Sequence, residues 1–323
     1  MSSRKVAIIV LNWNGWDDSL ACLASLEPSV DQGLARIIVI DNASTDGSAL
    51  RIRKWLQSES REYFEIAESE LAETARGSSM APPYILVHAR RNGGYAAGNN
   101  LGIKLALELS DTEYVFVLNN DTTVEPDSVA RLVAWAEQDP ATGIIASTLI
   151  EGRGELRIAG GNNYSLLLTI TRPAIAAGES RESNMDYVAG AAQFIRAVAL
   201  RQVGLLSEDY FLYFEELDLT RRITRAGFKI TWCPESIVHH HGGRAAGSRS
   251  LATNHKSSLA EYHSNLSCLI FMRKFHPRLL WLAAPARFLL KVLHDLICLQ
   301  PALLIPLVRA YRDYLAGTKR EHA

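Results

Sequence analysis

The first 150 residues alternate short apolar runs with stretches of helical periodicity, and this alternation constrains the fold more than any other feature. The runs of strand length, rich in valine and isoleucine, are Val6–Leu11, Arg36–Ile40, Tyr84–Val87, Tyr114–Leu118 and Gly143–Ala146. Between them, apolar residues recur at the spacing of an amphipathic helix, as in Leu20, Leu23 and Leu26. This alternation predicts an α/β fold, with a mostly parallel sheet covered by helices on both faces.

The composition is that of a globular chain and excludes several classes of protein. The 323 residues are 48% apolar and 21% charged, which excludes intrinsic disorder. The formal net charge of −1 argues against a general nucleic-acid-binding protein. The four cysteines lie far apart without a CxxC pair, so neither a zinc ribbon nor a disulfide framework is predicted. This cysteine usage indicates a reducing compartment. The apolar run at 6–11 is too short for a signal peptide, so we also expect a cytoplasmic location.

The C-terminal region differs from the rest in charge and hydropathy. Residues 271–323 carry nine Lys or Arg and three acids, so this region is basic while the rest of the chain is acidic. Charged residues and prolines interrupt the apolar stretch 279–314 before it reaches the roughly 20 apolar residues of a membrane span. We expect amphipathic helices that make peripheral contact with anionic lipid on the inner face of the membrane. The alternative is packing against the body of the protein or against a second subunit in a homo-oligomer.

The middle of the chain is less regular than its first half. Ser58–Met80 is acidic and poorly patterned, so we interpret it as a surface insertion. Glu151–Asp186 is rich in glycine and weakly periodic, which indicates a loop or small antiparallel strands. Strong patterning returns over Tyr187–His241, and helical periodicity dominates after about Ser257.

Polar clusters follow several of the predicted strands, at the edge where parallel α/β sheets bind their ligands. Asn12 and Trp13 follow the first run, where an aromatic ring and an amide could stack on a nucleobase and hydrogen-bond it. Asp41 ends the second run and could accept from a base N–H or a ribose hydroxyl. Asp121 follows Tyr114–Leu118, where a carboxylate suits a hard divalent ion that bridges diphosphate oxygens. Ordinary turns and helix caps are the alternative for each cluster.

The segment Arg91–Gly102 is rich in glycine and small residues, which let a backbone approach a phosphate closely. Gly98 is followed by Asn99 rather than by the Gly-Lys-Ser/Thr of a P-loop, so a P-loop NTPase is not indicated. The first strand–helix turn lacks the GxGxxG pattern, which argues against a dinucleotide-binding dehydrogenase.

Two later clusters carry titratable groups. Glu215, Glu216 and Asp218 are three acids within four residues, flanked by aromatic residues, and such crowding can raise a carboxyl pKa and create a general base. A helix start, where acids are favoured, is the alternative. The three histidines at 239–241 follow a short apolar run and could supply a metal ligand.

Taken in order, these clusters resemble the family 2 glycosyltransferases, which have the GT-A fold. The resemblance spans about residues 5–270 and is carried by VLNWNG, VIDNASTDGS, RNGGYAAGNNLGI, VLNNDTTVEP, GAAQFIR, VGLLSEDYFLYFEELDL and IVHHHGG. The chain looks most like the bacterial rhamnosyltransferase-type branch, and it lacks the Gln-x-x-Arg-Trp motif of processive synthases. The resemblance implies an inverting glycosyltransferase that moves a sugar from a nucleotide-diphosphate donor to a hydroxyl of a cell-surface glycan or lipid-linked precursor.

The resemblance also implies roles for individual residues. Glu216, or its neighbour Glu215, is the implied catalytic base, and Asp121 and His240 are the implied ligands of Mg²⁺ or Mn²⁺. The implied nucleotide-sugar-binding residues are Asn12, Trp13, Asp41, Asn92, Gly98, Asn99, Asn120 and Arg222. The chain departs from the family pattern twice, because Asn119 replaces the first acid of the Asp-x-Asp motif and because Glu-Glu replaces Glu-Asp. The choice between Glu215 and Glu216 therefore stays open.

The resemblance implies a catalytic domain at 1–255, with a nucleotide-binding half at about 1–125 and an acceptor half at about 126–255. A helical, basic and apolar region follows at 256–323. The implied partners are a dTDP- or UDP-linked sugar and a glycan or polyprenyl-diphosphate-linked acceptor. Two alternatives remain. A nucleotidyltransferase would need a glycine-rich loop with Lys or Arg after the first strand, and a catalytically silent glycan-binding or scaffold subunit is compatible with Asn119.

Overall fold

The computed structural model describes residues 4–58, 60–71, 81–151, 156–166, 168–175, 185–242 and 257–317. The strands are β1 (Val6–Asn12), β2 (Ala35–Asp41), β3 (Tyr63–Ala67), β4 (Tyr84–His88), β5 (Tyr114–Asn119), β6 (Thr122–Val124), β7 (Thr142–Glu151), β8 (Leu156–Ser165), β9 (Ile170–Ile175), β10 (Tyr187–Val188), β11 (Ala192–Arg196) and β12 (Lys229–His240). The α-helices are α1 (Trp16–Asp31), α2 (Ser48–Ser58), α3 (Gly94–Glu108), α4 (Ser128–Gln138), α5 (Ala197–Val203), α6 (Glu215–Arg225), α7 (Ser258–Phe275), α8 (Pro277–Ile297) and α9 (Leu304–Leu315). Single 3₁₀ turns cover Glu68–Glu70 and Pro301–Leu303.

The described strands form one mixed sheet whose centre is parallel. Strands β3, β4, β2, β1 and β5 lie side by side in that order, and every neighbouring pair among them is parallel. Strand β11 runs antiparallel between β5 and β7, and β12 joins β7 in parallel. The predicted α/β fold with a mostly parallel central sheet is confirmed. The register sets Asn12 opposite Asp41 and Leu11 opposite Asn119, so the polar ends of β1, β2 and β5 lie at one edge.

Two apolar layers hold the sheet between helices. On one face, Val6, Ile8 and Val10 of β1 pack in a cluster with side chains of α1, α2 and α4. On the other face, Ala7 and Ile9 of the same strand join a cluster with side chains of α3, α5 and α6. Because both faces are buried, these strands appear in the sequence as continuous apolar runs rather than as alternating patterns.

The interpretation of Ser58–Met80 as a surface insertion is wrong for part of this segment. Its residues 63–67 form β3, which pairs in parallel with β4 at the edge of the sheet. Ile66 is the only buried residue of β3, so this edge strand lacks the apolar run that marks the central strands. Residues 59 and 72–80 lie outside the described residues.

The region Glu151–Asp186 contains antiparallel strands where it is described, in agreement with one of the two predictions for it. Strand β8 pairs antiparallel with β7 on one side and with β9 on the other. Tyr164 of β8 packs in one aromatic cluster with Phe214 before α6 and Phe271 of α7, which ties the C-terminal helices to the sheet. The predicted boundary at 255/256 falls on residues outside the described ranges.

Helix α8 has two different faces. Arg287 and Asp295 are buried and Lys291 is mostly covered, so the charged residues that interrupt the apolar stretch face inward. The outward apolar side chains of α8 are Trp281, Leu282, Leu289, Leu290, Leu293, Leu296 and Ile297, all 48–85% exposed. No helix in the described part of the chain combines the length and the hydropathy that a membrane crossing requires. The inner face of α8 therefore packs on the body of the protein, and the lipid contact of the outer face stays a prediction.

Candidate active site

A cavity of about 750 Å³ opens at the polar edge of the sheet, beyond the ends of β1, β2 and β5. We call it the sheet-edge cavity. Trp13, Asp121, Glu215, Glu216 and His240 all line it, although they come from four different segments of the fold or from their junctions. Residues separated by up to two thirds of the chain thus converge on one space, as the strand-end clusters predict.

The loops after β1 and β2 are held together by a buried network centred on Asn12. Asn12 Nδ2 donates to Asp41 Oδ1 and to Ser44 Oγ, both at 3.0 Å, while Asn12 Oδ1 accepts from Ser19 Oγ at 2.7 Å. These contacts satisfy the Asn12 amide, and the described lining of the sheet-edge cavity includes neither Asn12 nor Asp41. Trp13, which is half-buried, is the side chain that this network presents to the cavity.

Asn92 and Gly94 shape the wall of the cavity at the start of α3. Asn92 Oδ1 accepts from Asn42 Nδ2 and from the Gly94 amide, each at 2.9 Å. Gly94 has a φ of +86°, and a Cβ there would lie 2.3 Å from the carbonyl oxygen of Phe211. Only glycine allows this close approach of two backbones. The loop before α6 is thereby fixed against the start of α3.

Gly98 and Asn99 lie inside α3 and are fully or almost fully buried, outside the described lining of the cavity. A Cβ on Gly98 would lie 2.5 Å from Leu11 Cδ1, so glycine permits α3 to pack closely on β1. Asn99 Nδ2 donates to the carbonyl oxygen of Tyr95 at 3.0 Å, within its own helix. This geometry supports a structural task for both residues rather than direct contact with a ligand.

The side chains of Asp121 and His240 are neighbours in the wall of the sheet-edge cavity. His240 Nε2 lies 3.3 Å from Asp121 Oδ2, and His240 Nδ1 lies 3.0 Å from Glu151 Oε2. This follows from strand register, because His240 is opposite Thr122 in β6 and opposite Glu151 in β7. Burial lowers the pKa of His240, but its hydrogen bonds and charge interactions with Asp121 and Glu151 outweigh burial and raise that pKa to about 10.

The same residues fit a divalent ion that also binds a diphosphate. Asp121 Oδ2 and His240 Nε2 are close enough to share one ion, while Glu151 orients the ring from the other side. Asn119 Oδ1 is buried, has no hydrogen-bond partner among the described residues, and belongs to a residue that lines the cavity. The described residues contain no group of three or more acidic, His or Cys ligands. Mg²⁺ commonly takes one or two protein ligands and completes its shell with substrate phosphates.

The polar residues next to Asp121 and His240 in the sequence have other hydrogen-bond partners. Asn120 lines the cavity, and its Nδ2 donates to Ser19 Oγ at 2.9 Å and to the Gly15 carbonyl at 3.2 Å. His239 lies 2.9 Å from Glu125 on the outside of β12. Within the described lining of the cavity, His240 is the one member of the three-histidine run.

Glu215 and Glu216 begin α6 directly after two residues with unusual backbone. Tyr213 and Phe214 have φ values of +69° and +73°, a left-handed conformation that costs energy in residues other than glycine. Such conformations persist where surrounding structure imposes them, often at functional sites. Here they turn the chain so that both glutamates lie against the sheet-edge cavity.

The two carboxyl groups differ in their electrostatic environment. Burial, followed by the adjacent charge of Glu216, raises the pKa of Glu215 well above its ordinary value. Burial also raises the pKa of Glu216, but backbone amides at the start of α6 and the hydrogen bond from Glu215 oppose that rise. Glu215 is therefore the carboxyl group that is more readily protonated, and Glu216 is the better candidate for the ionised carboxylate.

Arg222 lies away from the cavity, almost two turns further along α6 than the two glutamates. Its guanidinium donates to Asp218 Oδ1 at 2.6 Å and to the carbonyl oxygens of Val203 at 2.8 Å and Leu205 at 2.6 Å. These contacts brace α6 against the end of α5. The predicted contact of Arg222 with a nucleotide sugar finds no support in this geometry.

Glu151 is the main site residue that the sequence analysis missed. It ends the apolar strand β7, the same kind of position as Asp41 at the end of β2. A search for polar residues at the ends of apolar strands could have identified Glu151. It was missed because it stands at the start of the weakly patterned region Glu151–Asp186. Tyr95 was also missed. It lines the cavity, and its hydroxyl donates to the Gly190 carbonyl at 2.7 Å.

Comparison with known proteins identifies the family to which the sequence is similar. A family model described as glycosyl transferase family 2 matches residues 7–203, which is more than half of the chain. A low-salt glycan biosynthesis hexosyltransferase of Haloferax volcanii is 23% identical over 232 residues, covering 71% of this chain and 64% of that protein. An N-acetylglucosaminyl-diphospho-decaprenol L-rhamnosyltransferase of Mycobacterium tuberculosis is 25% identical over 270 residues, covering 75% of this chain and 80% of that protein.

Solved structures share the fold at low sequence identity. S. aureus TarS in complex with UDP-GlcNAc superposes with a TM-score of 0.56 at 14% identity, covering 98% of this chain and 82% of that one. The mannosyltransferase PcManGT of Pyrobaculum calidifontis, in complex with GDP-Man and Mn²⁺, gives a TM-score of 0.51 at 16% identity, covering 98% and 88%. At these identities the superpositions establish the fold.

Proposed function

The chain belongs to glycosyl transferase family 2, and on that premise we propose that it transfers a sugar, with inversion, from a nucleotide-diphosphate donor to a hydroxyl of a glycan or lipid-linked precursor. The observation that carries the proposal is the convergence of Trp13, the Asp121–His240 pair and Glu216 on the sheet-edge cavity. Together they supply an aromatic surface for a base, ligands for a metal ion and a carboxylate for proton removal.

Trp13 and the metal-side pair account for binding of the donor. The Asn12 network fixes the chain directly before the half-buried Trp13, whose ring lines the cavity and offers a surface on which a nucleobase can stack. Asp121 and His240 would hold Mg²⁺ or Mn²⁺, whose charge offsets the negative charge that develops on the departing diphosphate. The PcManGT structure contains Mn²⁺, which supports a divalent metal here without identifying it.

Glu216 is the proposed base. It removes the proton of the acceptor hydroxyl while the acceptor oxygen forms a bond to the anomeric carbon and the bond from that carbon to the diphosphate oxygen breaks. Glu215, which holds its own proton, donates a hydrogen bond to Glu216 and keeps that carboxylate ionised. A single displacement without a covalent intermediate inverts the configuration at the anomeric carbon.

The donor and acceptor that we propose follow from the relatives. The mycobacterial relative is named for transfer of L-rhamnose to N-acetylglucosaminyl-diphospho-decaprenol. We therefore propose dTDP-rhamnose as the first donor to test, with a UDP-linked sugar as the alternative, and a GlcNAc-diphosphate carried on a prenyl chain as the acceptor.

Titration calorimetry with dTDP, UDP and GDP, with and without Mn²⁺, tests the first half of the proposal. We expect one nucleotide to bind, and Trp13→Ala to weaken that binding by about tenfold, because base stacking contributes about 1–3 kcal/mol. Trp281→Ala is the matched control, since Trp281 is 85% exposed on α8. Absence of binding by every nucleotide would refute the proposal.

Mass spectrometry of the products tests the second half. We expect a rhamnosyl product from dTDP-rhamnose and citronellyl-diphospho-GlcNAc. The replacement of the first motif acid by Asn119 favours one other function, a glycan-binding subunit without catalysis. That function predicts nucleotide binding with neither transfer nor donor hydrolysis across the donor panel.

A further inference from the structure

A second cavity, of about 690 Å³, lies on the other side of Glu216. We call it the α8 cavity, because the inner face of α8 forms one wall. The turn between β8 and β9, together with the start of α6, forms the other. Among the described residues, Tyr213 and Glu216 are the ones that line both cavities. The proposed base therefore stands in the wall between two separate spaces.

The α8 cavity contains buried carboxylate oxygens that lack partners. Asp295 is fully buried, and its Oδ1 lies 2.9 Å from His294 Nδ1 and 3.4 Å from Lys291 Nζ. Its Oδ2 is buried and has no hydrogen-bond partner among the described residues, and the same holds for Glu216 Oε2. A buried acceptor without a partner is costly, so each oxygen fits a ligand that donates hydrogen bonds.

The Lys and Arg side chains of the cavity already have polar partners. Lys291 Nζ lies 3.1 Å from Glu261 Oε2 and 3.4 Å from Asp295 Oδ1, while Arg287 Nε donates to Asn265 Oδ1 at 2.8 Å. These groups stiffen the wall and leave it without a strong excess of positive charge. The unsatisfied groups are hydrogen-bond acceptors, which suits hydroxyl donors, and sugars are the common polyhydroxyl ligands.

The remaining lining is aromatic near Glu216 and aliphatic further away. Tyr187, Tyr213 and Phe214 line the cavity beside Glu216 and offer ring surfaces of the kind on which sugars pack. Leu290 and Leu303 line the part formed by α8 and the turn after it. Leu290 is 48% exposed, so this aliphatic part is continuous with the exposed apolar face of α8. The cavity thus changes from aromatic and polar to aliphatic along its length.

We propose that the α8 cavity is the acceptor site and takes the sugar of a lipid-linked glycan. The reacting hydroxyl lies at Glu216, another hydroxyl donates to Asp295 Oδ2, and the lipid chain leaves over Leu290 onto the outer face of α8. This inference rests on the proposed function. It adds that donor and acceptor enter from opposite sides of one carboxylate, and that α8 selects the acceptor.

A pair of adjacent substitutions on α8 tests the acceptor site. Leu290→Trp narrows the cavity, whereas Leu289→Trp adds the same ring to a neighbouring position that is 67% exposed and outside the cavity lining. The probes are octyl β-N-acetylglucosaminide and citronellyl-diphospho-GlcNAc. Their affinity is measured on protein saturated with the nucleotide that binds best, and donor hydrolysis by water is measured separately.

We expect Leu290→Trp to weaken binding of at least one probe by about tenfold or more, with nucleotide affinity and donor hydrolysis unchanged. Leu289→Trp should match the wild type in nucleotide affinity, in donor hydrolysis and in affinity for octyl β-N-acetylglucosaminide, because Leu289 lies outside the cavity lining. Equal probe affinity in the two variants, or no probe binding by nucleotide-saturated wild type, would overturn the inference and leave the proposed function standing. Failure of the wild type to bind any nucleotide would instead refute the proposed function, and this inference with it.

Asp295→Ala provides a second, independent measurement. We expect it to raise the acceptor KM more than it lowers kcat, because Asp295 binds a hydroxyl that does not react. The thermal midpoint of unfolding is recorded alongside, since Lys291 loses a partner. A variant with unchanged acceptor KM and normal folding would contradict the assigned role of Asp295.

Discussion

The sheet-edge cavity and the α8 cavity meet at Glu216, but they are built from different kinds of structure. The sheet-edge cavity lies at the ends of parallel strands, and His240 in its wall is already paired with Asp121 and Glu151, although Asn119 Oδ1 has no hydrogen-bond partner among the described residues. The α8 cavity is assembled from a hairpin turn, the start of α6 and a C-terminal helix, and it leaves Asp295 Oδ2 unsatisfied. A preorganised site suits a chemical step that stays the same for every substrate. In a site on peripheral elements, substitutions can change which ligand binds without altering the sheet.

Glu216→Gln tests the residue that both cavities share and should have the largest effect. We expect transfer to fall by about 10²–10⁴-fold, because the general base is lost while shape is kept. Affinity for nucleotide and for acceptor probe should change little. Glu215→Gln is the matched control, and it should retain most activity because an amide can still donate to Glu216. Equal losses in the two variants would contradict the division of roles between them.

Asp121→Asn tests the sheet-edge cavity alone. We expect Mn²⁺-dependent nucleotide affinity to fall by about tenfold or more, since the carboxylate that we propose as a metal ligand is removed. His239→Ala is the control, because His239 pairs with Glu125 outside the cavity. Calorimetry with and without Mn²⁺ measures both. Weaker binding of the acceptor probe to Asp121→Asn would show that the two cavities are not independent.

The pH dependence of kcat/KM tests the electrostatics of the shared wall. Burial raises the pKa of Glu216 above its ordinary value of 4.5, and only the ionised form accepts a proton. Transfer should therefore decrease as the pH falls, along a limb with a midpoint above 4.5. The residual activity of Glu216→Gln should lack this limb. An acid limb that persists in that variant would assign it to another group.

Substitutions on the outer face of α8 should have the smallest effect, and that effect should be measurable only when lipid is present. Leu293→Ser and Ile297→Ser remove two side chains that are 57% and 71% exposed, and each should weaken sedimentation with vesicles of anionic phospholipid. Transfer to octyl β-N-acetylglucosaminide in detergent should stay unchanged, because neither residue lines the α8 cavity. Leu50→Ser, at a 50% exposed position on α2, is the control. Vesicle binding that is unaffected by both substitutions would contradict peripheral membrane contact through α8.

The sequence analysis predicted the sheet-edge cavity better than any other part of the molecule. Trp13, Asp121 and His240 were assigned to a common site, and they do line one space. The prediction was possible because a parallel sheet brings its strand ends to one edge, so a polar residue after an apolar run already has an approximate position in space. The same reasoning did not identify the edge strand β3. Only Ile66 of that strand is buried, so the strand has no apolar run in the sequence.

What the sequence by itself determined is the alternation of strands and helices and, with it, the edge where chemistry takes place. Only the tertiary structure decided which polar side chains face the cavity and which have their hydrogen bonds satisfied elsewhere, as Asn12 has by Asp41 and as Arg222 has by Asp218 and by the carbonyl oxygens of Val203 and Leu205. Only the tertiary structure brought Asp295 and Glu216 to one cavity. The physical reason is that the direction and partners of a side chain depend on register and on contacts between distant segments, such as His240 with Glu151, 89 residues apart.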